Sequence, residues 1–221
     1  MCGRFSLTSK PRRLRDHFGL AREPEDMVPH YNIAPTQPVL VIPNRTERLL
    51  RPARWGLIPH WANDTKLGAR LINVRNETLL TREGFRAALE RRRCIIPADG
   101  FYEWQQRPGG KQPWHIGMID ESMFALGGIW EYWAVEGHDP VLSCAIIVTD
   151  ANELIANLHE RMPLIIARED WDRWLDPELT DAAEIEKLLK PFPAEEMRAY
   201  PVSTRVNDAK IDDATLVEPL T

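Results

Sequence analysis

Proline and glycine interrupt this chain so often that long helices are excluded. Eighteen prolines and twelve glycines fall within 221 residues, and both residue types break helix interiors. Short apolar strands such as "TQPVLVIP" (36–43) and "VLSCAIIVT" (141–149) outnumber the short helical stretches, and no regular βαβ alternation is present. We therefore predict an α+β fold with largely antiparallel sheets, built as one domain over residues 1–221.

Local signals place several element boundaries. Residues 9–18 are predicted to form a helix that Ser9 caps and Gly19 ends. Asp150 and Glu153 have the spacing of a capping box for a helix over 151–158. The segment "CIIPADGFYEW" (94–104) is predicted to form a strand, a turn at Asp99-Gly100 and a second strand.

Composition excludes several classes of protein. The sequence contains no run of about eighteen apolar residues, so we expect no membrane span. It also has no apolar segment near the N-terminus of the kind found in a secretory signal. The three cysteines include no CxxC pair, and "HERMP" (159–163) is not an HExxH motif. We expect no disulfide framework, no metal, no cofactor and a reducing compartment.

Charge is distributed unevenly along the chain. The net charge is −5, but eleven acidic and five basic residues from position 176 onward give −6, so residues 1–175 carry +1. Five basic residues and no acid lie within residues 1–15. A local basic groove for nucleic acid and an ordinary solvated surface both fit this pattern.

The second residue, Cys2 in "MCGRF", combines two reactive groups once Met1 is removed, as its small size leads us to expect. An α-amine has a pKa near 8, so about a tenth of it is uncharged at neutral pH, and the thiol lies on the neighbouring carbon. The thiol could attack an acyl carbon. Alternatively, the amine could attack an aldehyde, and the thiol could then close a thiazolidine ring. The third possibility is that Cys2 lies at a frayed terminus and has no chemical role.

Several polar residues elsewhere could share a site with Cys2. Glu103 lies among aromatic residues in "GFYEWQ", and a strand would turn it away from Tyr102 and Trp104; a dry setting would suit proton transfer, whereas the alternative is a solvent-facing Glu. Asn73 and Arg75 share one face of an extended "LINVRNET" and could orient a polar group beside a phosphate, unless Asn73 only caps a turn.

Two further segments contain residues that could belong to the same site. His159 and Arg161 in "NLHERMP" fall between a predicted helix and strand, where His159 could relay protons or only interact with the helix dipole. Trp61 follows "WGLIPH" and could stack on a base or pack in the core, and Pro35 follows "YNIA".

Six ordered motifs together resemble the SOS response-associated peptidase (SRAP) family. They are "MCGRF" (1–5), "YNIAPTQ" (31–37), "RWGLIPHWA" (54–62), "LINVRNET" (71–78), "CIIPADGFYEW" (94–104) and "HERMPLII" (159–166). The later segment "YPVSTRVN" (200–207) is also similar. The resemblance implies a single α+β domain with barrel-like antiparallel sheets flanked by short helices.

The resemblance also implies a sensor and shield of abasic sites in single-stranded DNA, which cross-links through Cys2 to the ring-opened sugar as a thiazolidine. It implies catalytic roles for Cys2, Asn73, Glu103 and His159. It implies DNA contacts for a second set of residues: Arg4, Pro35, Trp61, Arg75 and Arg161. We expect a monomer in the cytoplasm near the nucleoid, or in the nucleus of a eukaryote, with peptidase or lyase-type activity as a further possibility.

Two other classes of function fit the same residues. One is an N-terminal-nucleophile hydrolase, either a peptidase or a glutamine amidohydrolase, because glutamine amidotransferases also begin with Met-Cys-Gly. The other is a module that binds single-stranded DNA without a covalent bond.

Overall fold

The computed structural model describes residues 2–25 and 27–220, which form short strands and helices. The strands are β1 (Phe5–Leu7), β2 (His30–Ile33), β3 (Pro38–Pro43), β4 (Arg51–Trp55), β5 (Asn73–Arg75), β6 (Arg93–Ala98), β7 (Gly100–Arg107), β8 (Gly110–Met118), β9 (Phe124–Trp133), β10 (Val141–Asp150), β11 (Arg161–Pro163) and β12 (Met197–Pro201). The helices are α1 (Pro11–Phe18), α2 (Asn76–Thr81), α3 (Glu83–Arg91), α4 (Glu153–Ala156), α5 (Trp171–Leu175) and α6 (Ala182–Glu186).

Five strands, β3, β4, β6, β9 and β10, close into a barrel. Strand β10 pairs with β9 on one side and β4 on the other, and the ring continues through β3 and β6 back to β9. The β10 strand extends beyond the ring, where it pairs with β5 in parallel and with β11 in antiparallel orientation. Only the β4 and β5 pairings with β10 are parallel among the described strand ladders. The predicted α+β fold with mainly antiparallel, barrel-like sheets is confirmed.

A second, fully antiparallel sheet has the strand order β12-β8-β7-β1-β2. Its β1 strand lies between β7 and β2, so the first residues of the chain enter the middle of a sheet. The β7 strand follows the barrel strand β6 directly, and Asp99 is the one residue between them. The Asp99-Gly100 turn therefore joins the barrel to the second sheet. It does not form a hairpin, because β6 and β7 belong to different sheets.

Two predicted helix starts are wrong, although the predicted helices exist. Helix α1 begins at Pro11, and its N-cap Lys10 makes no side-chain cap bond. The Ser9 hydroxyl instead donates to Asp99. Gly19 ends α1 in the left-handed conformation as predicted, with φ 62°. Helix α4 is capped by Asn152, because Asp150 is still part of β10 and forms an ion pair with Arg161.

The C-terminal segment packs along the second sheet. Tyr102 and Trp104 on β7 contact a small apolar cluster that includes Val202, Val206 and Leu216. The side-chain amide of Asn32 donates to three carbonyls of residues 206–211. Of the helices that the structure describes, none has both the length and the apolar character needed to cross a membrane.

Candidate active site and nucleic-acid interface

Cys2 is fully buried and lies next to β7. The Tyr102 amide donates to the Arg4 carbonyl at 3.0 Å, which extends the β1–β7 ladder towards the N-terminus. The Cys2 thiol contacts the Arg4 carbonyl oxygen at 3.7 Å. Burial raises the pKa of the Cys2 thiol, and the nearby Glu103 carboxylate raises it further. The thiol is therefore protonated at neutral pH, and it is not a preformed thiolate nucleophile.

Asn73 reaches Cys2 from the barrel. It is the first residue of β5 and lies opposite Ile146 in the parallel pairing with β10. Its side-chain amide donates to the Cys2 carbonyl oxygen at 2.8 Å, so it does more than cap a turn. Its buried Oδ1 has no hydrogen-bond partner among the described residues. The Asn73 side chain thus fixes the Cys2 main chain and presents an acceptor beside it.

Glu103 is buried to 2% exposure on β7. Strand alternation sends Tyr102 and Trp104 to the C-terminal cluster and sends Glu103 to the opposite side, where its charge acts on Cys2. The solvent-facing alternative for Glu103 is therefore wrong. The same burial gives the carboxyl group the partly dry setting that suits a proton-transfer residue.

His159 follows α4 and faces the same cleft as Glu103. Its backbone amide donates to the Ile155 carbonyl at 2.9 Å. Its ring Nδ1 accepts a hydrogen bond from the Arg161 amide at 2.9 Å, so the neutral ring carries its proton on Nε2. An open cleft of about 440 Å³ is lined by Glu103, Trp104, Lys111, His159 and Asn207. The fold therefore groups all four predicted catalytic residues, with Cys2 and Asn73 in direct contact.

The three predicted arginine contacts differ in their surroundings. Arg4 donates to Asn32 Oδ1 at 2.8 Å, to the Val206 carbonyl at 2.7 Å and to the Asn207 carbonyl at 3.3 Å. Arg161 forms ion pairs with Glu77 at 2.6 Å and Asp150 at 3.1 Å. Arg75 is exposed and forms no ion pair within residues 2–25 and 27–220. Arg75 is therefore the readiest of the three to receive a phosphate.

Trp61 and Pro35 lie on turns beside the barrel. Trp61 is 67% exposed, so the core-packing alternative for this residue is wrong. Its neighbour Ala62 is buried and accepts a 2.7 Å hydrogen bond from Trp133 Nε1, which anchors the turn. Pro35 is half-buried and precedes Thr36, whose amide donates to the Trp55 carbonyl at 2.8 Å. Both side chains are held on ordered turns.

Residues 1–209 match the family described as SOS response associated peptidase (SRAP). The chain belongs to the SRAP family. It is 42% identical to "Abasic site processing protein YoqW" of Bacillus subtilis, with 99% of each chain covered. It is 32% identical to "Abasic site processing protein HMCES" of Gallus gallus, over 100% of this chain and 78% of that protein. A crystal structure from Bacteroides thetaiotaomicron has a TM-score of 0.89 at 27% identity and covers both chains completely.

The structure adds three residues to the cleft of this SRAP chain that the sequence analysis did not assign. Trp104 donates from Nε1 to Asn207 Oδ1 at 2.7 Å, which fixes the plane of the indole. Lys111 comes from the hairpin between β7 and β8. The position of Trp104 next to Glu103 and the place of Asn207 in the family-like segment 200–207 were usable signals, whereas a lone Lys gave none. Within the described ranges, no cluster of three or more His, Cys, Asp or Glu residues could hold a metal ion.

Proposed function

We propose that this chain recognises abasic sites in single-stranded DNA and links to them covalently through Cys2. The observation that carries the proposal is the hydrogen bond from Asn73 to the Cys2 carbonyl, made beside a buried Glu103. That arrangement organises the main chain at Cys2 and places a carboxyl group nearby. The names of the relatives supply the class of lesion.

The reaction requires a free α-amine on Cys2, so Met1 must be removed. Met1 lies outside the described residues, and its removal remains a prediction. The amine adds to the aldehyde of the ring-opened sugar, and loss of one water leaves an imine. The thiol then adds across the C=N bond, so that sulfur bonds to the former aldehyde carbon and the nitrogen gains a proton. The net change is two new bonds to one carbon and one water released.

The surrounding residues suit separate steps of this sequence. Asn73 Oδ1 is a buried acceptor next to Cys2 and could receive a hydrogen bond from the amine. Glu103 could donate the proton that the departing water needs and take one from the thiol. The His159 Nδ1 accepts from the Arg161 amide, so the neutral ring has its proton on Nε2. That ring could transfer a proton during opening of the sugar ring. The protonated thiol fits this order, because the amine acts first.

The test is a denaturing gel of the protein incubated with an oligonucleotide that contains one abasic site. We expect a heat-stable adduct whose intact mass is the sum of both molecules less one water. Cys2→Ala should give no stable adduct, although borohydride should trap its imine because the amine is retained. Cys94→Ala, which removes a different buried thiol, is the matched control. Absence of any adduct with the wild-type protein would overturn the proposal.

The same preparation tests the two other classes. A hydrolase would release ammonia from glutamine or cleave a peptide, and Cys2→Ala would abolish that turnover. A purely reversible DNA-binding module would bind the abasic strand equally well with Cys2→Ala and leave no adduct. The monomeric state and the preference for single strands also remain predictions, which sizing chromatography and competition with duplex DNA would check.

A further inference from the structure

Lys111 forms part of the wall of the open cleft that Glu103, Trp104 and His159 also line. Gly109 and Gly110 have φ values of 90° and 140°, which turn the chain between β7 and β8. Lys111 follows directly and lies opposite Gln106 in the antiparallel ladder. Its side chain lines the same cleft as Glu103 and His159. The hairpin thus brings a long cationic side chain to the site.

Lys111 differs from the other cation of this hairpin. Arg107 donates to Gln105 at 2.9 Å and lies over the ring of Trp114 at 5.9 Å. Arg107 is also not part of the cleft lining. Lys111 is exposed and makes no ion pair with any residue that the structure describes. An incoming anion could therefore bind Lys111 without breaking an existing contact.

A DNA strand at Cys2 needs cations on both sides of the reacting sugar. The side chains of Arg4 and Arg161 are already engaged by other groups of the protein. Arg75 is exposed on the β5 side of Cys2, two residues from Asn73, and it forms no ion pair among the residues that the structure describes, although its charge acts on Glu77. On the β7–β8 side, Lys111 is the cation that lines the cleft.

We propose that Lys111 binds a backbone phosphate of the nucleotide next to the lesion. The assignment rests on the proposed function, because it takes the cleft as the path of a single DNA strand. An ammonium group suits this role, since a compact point charge on a flexible stem tolerates variable phosphate positions. The contact is independent of sequence and should appear in the salt dependence of binding.

The experiment measures reversible binding of an undamaged single-stranded oligonucleotide at 50–200 mM salt, where no covalent bond can form. Lys111→Gln should weaken binding about 3- to 10-fold at the lowest salt and reduce the slope of log affinity against log salt by about 0.7. Lys111→Arg should retain most of the affinity. Lys190→Gln is the matched control, because Lys190 is exposed and lines a different cavity with Trp171 and Phe192.

A slope unchanged by Lys111→Gln, or lowered equally by Lys190→Gln, would overturn the phosphate contact. With abasic DNA, Lys111→Gln should slow cross-linking at low DNA concentration and reach the wild-type plateau at saturation. A reduced plateau with an unchanged salt slope would also overturn it, because Lys111 would then act in the chemistry. These outcomes are distinct from failure of the proposed function, in which the wild-type protein forms no adduct.

Discussion

Replacing Arg4 with Ala tests whether this residue holds the fold together or holds DNA. The resemblance implies a phosphate contact. In the structure, the guanidinium group instead joins the N-terminal strand to Asn32 and to the carbonyls of Val206 and Asn207. Burial also lowers the pKa of Arg4, as expected for a group partly removed from water. We expect Arg4→Ala to lower the free energy of unfolding markedly.

The magnitude follows from the individual contacts. A hydrogen bond from a charged donor contributes about 1.5–3 kcal/mol. The Val206 carbonyl keeps a second donor in Arg4→Ala, since Asn32 Nδ2 also reaches it at 3.3 Å, and the Asn207 contact is exposed. The main loss is therefore the bond to Asn32 Oδ1 with part of the Val206 bond, about 2–3 kcal/mol in total. The melting temperature should fall by about 5–10 °C.

Urea unfolding followed by tryptophan fluorescence measures this loss. Arg12→Ala is the matched control, because the Arg12 side chain is 79% exposed and its pairing with Asp16 spans 3.8 Å; we expect a change below about 0.5 kcal/mol. If Arg4→Ala were as stable as Arg12→Ala and bound single-stranded DNA more weakly than wild type, Arg4 would be a phosphate contact and the structural argument would be refuted.

Three other changes have defined expectations. Glu103→Gln should slow single-turnover cross-linking by roughly 10²- to 10⁴-fold, and an unchanged rate would exclude acid–base work by this carboxyl group. Trp61→Ala should weaken single-stranded DNA binding by about 1–3 kcal/mol with little change in the urea midpoint, since the ring is 67% exposed; equal affinity would remove Trp61 from the interface. Burial lowers the pKa of His115 from 6.5 to about 4. The unfolded chain takes up this proton first, so stability should fall as the pH drops from 6.5 to 4, by about 1.4 kcal/mol per unit. In His115→Gln that contribution should be absent, and a wild-type pH profile in the variant would contradict it.

The sequence predicted the fold class and the existence of most elements, but less of their connectivity. Gly19 ended α1 as predicted because its left-handed conformation is a local property. The capping residue of α4 was wrong because Asp150 and Asn152 both fit a cap locally, and only the β10–β11 pairing extends the strand through Asp150. Likewise, the Asp99-Gly100 turn signal contained no information about which sheet each flanking strand would join.

In the candidate site, too, local sequence features were predicted and features that depend on the tertiary fold were not. Motifs singled out Cys2, Asn73, Glu103 and His159, and strand alternation correctly turned Glu103 away from Tyr102. Nothing in one sequence indicated that Arg4 would bind the C-terminal segment, since the partners are about 200 residues apart. Lys111 was missed for the same reason, because its importance comes from the cleft that the tertiary fold creates.

The N-terminal segment is synthesised first, but its tertiary contacts are completed last. Cys2 emerges from the ribosome at the start of synthesis, whereas the N-terminal segment that carries it is held by Asn73, by β7 and finally by the Val206 carbonyl, to which Arg4 donates. At about 5–20 residues per second, the interval between the first and last of these is roughly 10–40 s. During that time the thiol lacks the burial that raises its pKa. A nascent chain therefore exposes this cysteine to oxidants in the solvent, and completion of the fold buries the thiol in the site where Asn73 holds its main chain.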